Sequence, residues 1–192
     1  MSRVIFVANR LPVTITEWKK EISFSASPGG LASGIASLSK SHDYLCIGWP
    51  GIVSEKLQAR HKANITGGLS AEKYHPVFLS QKQIKNYYEG FCNKTIWPLF
   101  HYFPLYTEYE KNFWQTYKEV NQLFCDEVIK LAMPKDNIWI HDYQLMLLPQ
   151  LIREKNPDAT IGFFLHIPFP SFELFRMLPW RQEILAGLLG AD

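Results

Sequence analysis

The sequence predicts an α/β domain built on a doubly wound, mostly parallel sheet. Ile138-Trp139-Ile140 and Thr160–Leu165 are short, continuous apolar runs, the pattern of strands covered on both faces. Between them Leu145, Leu148, Leu151 and Ile152 recur at helical spacing, so one helix over Gln144–Lys155 makes the crossover. Each strand then ends abruptly in polar groups, His141-Asp142 after the first and His166 after the second. Neighbouring parallel strands bring such side chains together at the carboxyl edge, where open α/β sheets bind their ligands. An Asp at a strand end also serves as a helix cap, and Asp142 suits a helix starting near Tyr143. What favours a site is the next stretch, Ile167-Pro168-Phe169-Pro170. Its prolines fix φ and bias their predecessors toward extended geometry, which makes a stiff support beside a ligand.

Arg3–Ala8 reads as the first buried strand, followed by Asn9-Arg10-Leu11-Pro12. A dinucleotide site would place Gly-x-Gly-x-x-Gly at this turn, and its absence removes that reading. Val13–Glu17 and Ile22–Ser25 form a hairpin around Trp18-Lys19-Lys20, expected to project from the sheet edge. Ser27-Pro28-Gly29-Gly30-Leu31 leads into a small-residue helix over Leu31–Ser39. Two glycines opening a helix expose backbone N–H groups suited to an anion, although Pro-Gly-Gly is also an ordinary turn. Leu45–Trp49 and Tyr74–Leu79 are further strands, and Val53–Ala63 is an amphipathic helix. Ser80 caps a helix through Tyr87 and Tyr88, and Glu89–Tyr102 is rich in aromatics. Phe113, Tyr117, Val120, Phe124, Val128 and Leu131 recur at threes and fours, so Lys111–Leu131 is a helix whose stripe is core. Ser171–Leu189 is helical with a break at Leu178-Pro179.

With 192 residues and 47% apolar composition the chain can bury a full core. A net charge of +2 without a basic run points away from nucleic acid and acidic membranes. No apolar run is long enough for a membrane span, and the first strand leaves no room for a signal peptide. Cys46, Cys92 and Cys125 lack metal spacing and fit reduced thiols of a cytoplasmic protein. The alternation of strands and helices is unfinished at Asp192 and a ligand crevice needs a second wall, so the chain reads as part of a longer protein.

Several stretches together resemble the trehalose-6-phosphate synthases. They are Asn9-Arg10-Leu11-Pro12-Val13, Pro28-Gly29-Gly30-Leu31, Gly48-Trp49, Tyr87-Tyr88, Trp97–Tyr102, Trp139-Ile140-His141-Asp142-Tyr143 and Gly162–Pro170. The resemblance runs in order through the whole chain. It implies the Rossmann-like, acceptor-binding amino-terminal domain, residues 1–192, of a two-domain GT-B glycosyltransferase. The activity implied is transfer of glucose from UDP-glucose to glucose 6-phosphate with retention, without a cofactor. By the same resemblance Arg10 binds the acceptor's phosphate, Trp49, Tyr88 and Trp97 line the acceptor pocket, and Asp142 accepts from sugar hydroxyls. Gly29 and Gly30 approach the donor's phosphates, and His166 contacts the donor glucose, so that His166 and Asp142 are the catalytic candidates. No Asp-x-Asp sequence suggests a bridging metal, and homo-oligomerisation is left open.

The residue types suit that chemistry independently. Arg grips phosphate with a bidentate fork, a carboxylate accepts from adjacent hydroxyls, and Tyr and Trp offer flat faces with a polar tip. Two alternatives remain at this stage: a non-catalytic regulatory relative that binds sugar phosphate, and a synthase for another acceptor such as glycerol 3-phosphate. Pro28, where glycogen-type enzymes carry a Lys, disfavours polymer synthesis.

Overall fold

The computed structural model describes residues 3–18, 21–27, 34 and 43–192. Five strands, β1 (Val4–Arg10), β4 (Tyr44–Trp49), β5 (Tyr74–Pro76), β6 (Asn137–His141) and β7 (Thr160–Phe164), form one sheet in the order β5-β4-β1-β6-β7. Every pairing within it is parallel. Strands β2 (Val13–Trp18) and β3 (Glu21–Ala26) form a separate antiparallel hairpin. The fold is thus the expected α/β class. Gly29, Gly30 and the helix expected over Leu31–Ser39 lie outside the described residues, apart from Gly34.

Side-chain alternation explains why both faces are apolar. Ile5, Val7, Ile47, Trp49, Ile138 and Ile140 enter the larger core, whereas Phe6, Cys46 and Trp139 enter a second core on the other face. The larger core is closed by a composite helix α2 over residues 81–100, by α3 (Lys111–Leu131), α4 (Leu148–Lys155) and α6 (Arg181–Leu188), with the short turn α5 (Phe172–Phe175) beside it. The second core takes Ile65 and Leu69 of α1 (Ala59–Ala71). Phe24 of the hairpin packs there too, against Gly68, where a Cβ would lie 2.4 Å from the ring. The hairpin is therefore docked, and not projecting from the sheet edge as expected, because its apolar face finds room over that glycine.

Other boundaries move for local reasons. Residues 54–56 form a 3₁₀ turn and the helix begins at Ala59, not Val53. The strand predicted over Tyr74–Leu79 stops at Pro76, beyond which Leu79 makes an isolated bridge with Val53. The crossover helix starts at Leu148, with Pro149 in its first turn, after a 3₁₀ turn over Tyr143–Leu145. β7 is an edge strand with Thr160, Gly162 and Phe164 exposed, so it is not covered on both faces. The capping box at Ser80, reciprocal with Gln83, and the full span of α3 match expectation.

Two features of the helical layer serve the sheet edge. Ile84–Ile96 within α2 is π-helical, a wide winding that marks functional sites when it interrupts α-helices. On α3, the Tyr117 hydroxyl donates to Tyr143 O (2.8 Å) and accepts from Met146 N (3.0 Å), while Asn121 Nδ2 donates to Gln144 O (3.1 Å). The turn after β6 is thereby clamped from below by buried polar groups. Among the described residues no helix is long and apolar enough to cross a membrane.

Candidate active site

Strand order reverses beside β1, between it and β6, and a cleft of about 420 Å³ opens at their carboxyl ends. Ala8, Asn9 and Arg10 come from β1, Tyr88 from α2, His141, Asp142 and Gln144 from the end of β6, and His166 from beyond β7. A larger hollow of about 750 Å³ lies among α3, α4 and α6. It collects no strand-end side chains, so the chemistry is assigned to the smaller cleft.

The pairing of β1 with β4 slips between Val7 and Arg10, leaving Arg10 opposite Trp49. Such irregularities re-aim a side chain. The Arg10 guanidinium lies 5.7 Å from the Trp49 ring centroid. Gly51, at φ +84°, flanks it closely enough that a Cβ would sit 2.8 Å from Nη2. Arg10 is exposed and oriented, and it has no hydrogen bond or ion pair to any described residue. Trp49 itself is buried, its Nε1 donating to Ile52 O at 3.0 Å, and its ring stands 6.4 Å from Tyr88. It backs Arg10 and Tyr88 and is not part of the cleft wall.

Asp142 caps the turn after β6 and also lines the cleft. Its Oδ1 accepts from Tyr143 N (2.9 Å), capping the turn, and from His166 N (3.1 Å), pinning the loop after β7. Oδ2 has no hydrogen-bond partner among the described residues. The residue sits at φ 77°, ψ 169°, a region populated almost solely by glycine and costing about 1–3 kcal/mol. Strain of that kind collects where a side chain must be aimed.

His141 Nδ1 lies 3.1 Å from His166 Nε2, with the rings stacked at 5.4 Å. His141 is 6% exposed and its Nε2 is sealed without a partner, near the rings of Trp139 and Phe6. Burial, reinforced by repulsion from His166, pushes its pKa from 6.5 down to about 4. An unfolded chain therefore takes up this proton near pH 6.5, whereas the folded one resists until about pH 4. Stability is complete above that window and falls as pH drops through it, by about 3 kcal/mol from this group. Chemical denaturation at about pH 7.5 and about pH 4 is expected to show this loss, and His141→Gln to flatten it. Equal pH slopes for the two proteins would contradict the assignment.

Of the sequence candidates, the cleft brings together Arg10, Tyr88, Asp142 and His166. Trp97 is outside it, 45% exposed, with the tilted rings of His101 and Tyr143 at 3.9 Å and 5.8 Å. The sequence marks His141 as a strand-end polar group beside Asp142, but it singles out neither Asn9 nor Gln144 as a site residue. Asn9 adjoins Arg10, and its position at a strand end was the available signal.

Comparison with known proteins agrees with this fold. The model of glycosyltransferase family 20 matches residues 2–192. A trehalose-6-phosphate synthase from Mycolicibacterium smegmatis is 42% identical over all of this chain and 37% of its own length. A UDP-forming α,α-trehalose-phosphate synthase structure from Burkholderia xenovorans superposes with a TM-score of 0.80 at 31% identity, covering all of this chain and 38% of that one. A second structure from that organism, in complex with glucose 6-phosphate, gives 0.77 at 28% identity, with coverage of 100% and 39%. The chain spans less than two fifths of the length of these relatives. A family match over residues 2–192, on a five-stranded parallel sheet, establishes that the chain belongs to glycosyltransferase family 20.

Proposed function

We propose that this chain is the acceptor-binding domain of a two-domain α,α-trehalose-6-phosphate synthase, transferring glucose from UDP-glucose to glucose 6-phosphate with retention. The observation that carries this reading is the presence, in one cleft, of the Arg10 cation and of Asp142 Oδ2, neither of which has a hydrogen-bond or ion-pair partner among the described residues. A sugar phosphate is complementary to that pair: its dianion suits the guanidinium fork and its hydroxyls suit an acceptor-only oxygen. Tyr88 supplies an apolar face for the ring's C–H groups. Gly29 and Gly30 would present backbone N–H groups to the donor's phosphates, and His166 would meet the donor glucose. The free, buried thiols of Cys46, Cys92 and Cys125 suit a cytoplasmic setting.

Double displacement would need a carboxylate against the anomeric carbon. Asp142, the carboxylate lining the cleft among the described residues, is assigned to the acceptor. We therefore favour same-face substitution. The bond from the anomeric carbon to the UDP oxygen breaks, the bond to the acceptor oxygen forms, and the departing phosphate oxygen takes the acceptor's proton. Charge growing on UDP would be met by preorganised N–H groups and by cations of a second domain.

The isolated 192-residue chain is then expected to release no UDP from UDP-glucose and glucose 6-phosphate, whereas the full-length protein turns both over. Release above a heat-killed control by the isolated chain would overturn the two-domain reading, and an inactive full-length protein would overturn the synthase assignment.

A further inference from the structure

Tyr87 and Tyr88 are consecutive on the π-helical segment, yet they do different things. Tyr88 lines the cleft, whereas Tyr87 is fully buried with its hydroxyl 2.8 Å from Oδ1 of Asn9. A phenol enclosed to this degree needs an acceptor for its proton, and Asn9 Oδ1 is that acceptor. Turning the Asn9 amide over would set its NH₂ against the phenol and leave the buried O–H without a partner. Tyr87 thus fixes which way the amide points. Asn9 Nδ2 has no hydrogen-bond partner among the described residues. It is not one of the sealed polar atoms, which are Asn121 Oδ1 and His141 Nε2, so it keeps access to solvent from a residue that lines the cleft beside Arg10.

We propose that Asn9 is a further substrate-binding residue, donating from Nδ2 to an oxygen of the bound sugar phosphate, with Tyr87 as the positioning residue that holds its amide. This rests on the function proposed above. It adds a neutral donor, held in orientation by Tyr87, to a cation at Arg10 and an acceptor at Asp142. Tyr87 is buried for that purpose, its proton spent on orientation and not offered to the ligand.

Asn9→Asp in the full-length protein tests this, because it keeps the oxygen that Tyr87 bonds and replaces the donor by a charged acceptor. The KM for glucose 6-phosphate is expected to rise roughly ten- to a hundredfold, with the KM for UDP-glucose unchanged. Tyr87→Phe, which keeps the donor but frees the amide, is expected to give a smaller rise on the same substrate. Asn9→Ala is read in the same way should the Asp variant fail to fold. A wild-type KM for glucose 6-phosphate in both Asn9 variants, or equal shifts for both substrates, would overturn the proposal. A wild-type protein that does not use glucose 6-phosphate overturns the functional reading beneath it, and that is seen before any variant is assayed.

Discussion

Asp142→Asn is expected to lower kcat/KM about a hundredfold in the full-length protein while leaving the melting temperature unchanged. The reason lies in the division of labour between its two oxygens. Oδ1 accepts from Tyr143 N and His166 N, and an asparagine carbonyl can take both bonds. Asn also caps about as well as Asp and tolerates positive φ comparably. The second position changes from an acceptor to an NH₂ donor, which cannot receive a sugar hydroxyl's proton. Losing hydrogen bonds to a charged group costs about 1.5–3 kcal/mol, and here the lost group serves the reacting acceptor. If Asp142 were only a cap, the substitution would be nearly silent in both measurements. Activity that falls in step with stability would mean that the strained turn, and not the ligand, needs the carboxylate.

Arg10→Ala is expected to raise the KM for the sugar-phosphate acceptor well above any change in the KM for the nucleotide sugar. The side chain has no ion-pair or hydrogen-bond partner to lose among the described residues, so folding should be little affected. A phosphate contact of this kind contributes about 1.5–3 kcal/mol, roughly ten- to 150-fold in kcat/KM. Arg10→Lys should recover only part of it. Lysine keeps the charge but loses the bidentate fork and the face that lies over Trp49. Equal effects on both substrates would make Arg10 a structural residue.

Much of this site was legible because parallel strands obey simple geometry. His141-Asp142 and His166 had to emerge together once their strands were neighbours, and His166 N does bond Asp142 Oδ1. The β1–β6 adjacency follows from the doubly wound order, which sets Arg10 beside the same crevice. What stayed hidden depends on contacts that no local pattern encodes. An apolar run reads the same in a covered strand and in an edge strand, so the exposed face of β7 was missed. Phe24 meets Gly68 only through the fold, so the docked hairpin had no signal in its own residues. Consecutive helical residues face different ways, so Tyr87 enters the core while Tyr88 lines the cleft, a split that the Tyr-Tyr pair alone does not announce. Trp97 was placed in the acceptor pocket by resemblance alone; its ring lies against His101, outside the cleft of this domain.

If the reading is right, the cleft at the carboxyl edge of β1 and β6 binds a sugar phosphate with its phosphate toward Arg10. A crystal structure of the full-length protein with glucose 6-phosphate would show it. Phosphate oxygens are expected within hydrogen-bond distance of the Arg10 guanidinium, and a sugar hydroxyl on Asp142 Oδ2. A sugar phosphate seated elsewhere, or one whose phosphate turns away from Arg10, would contradict it.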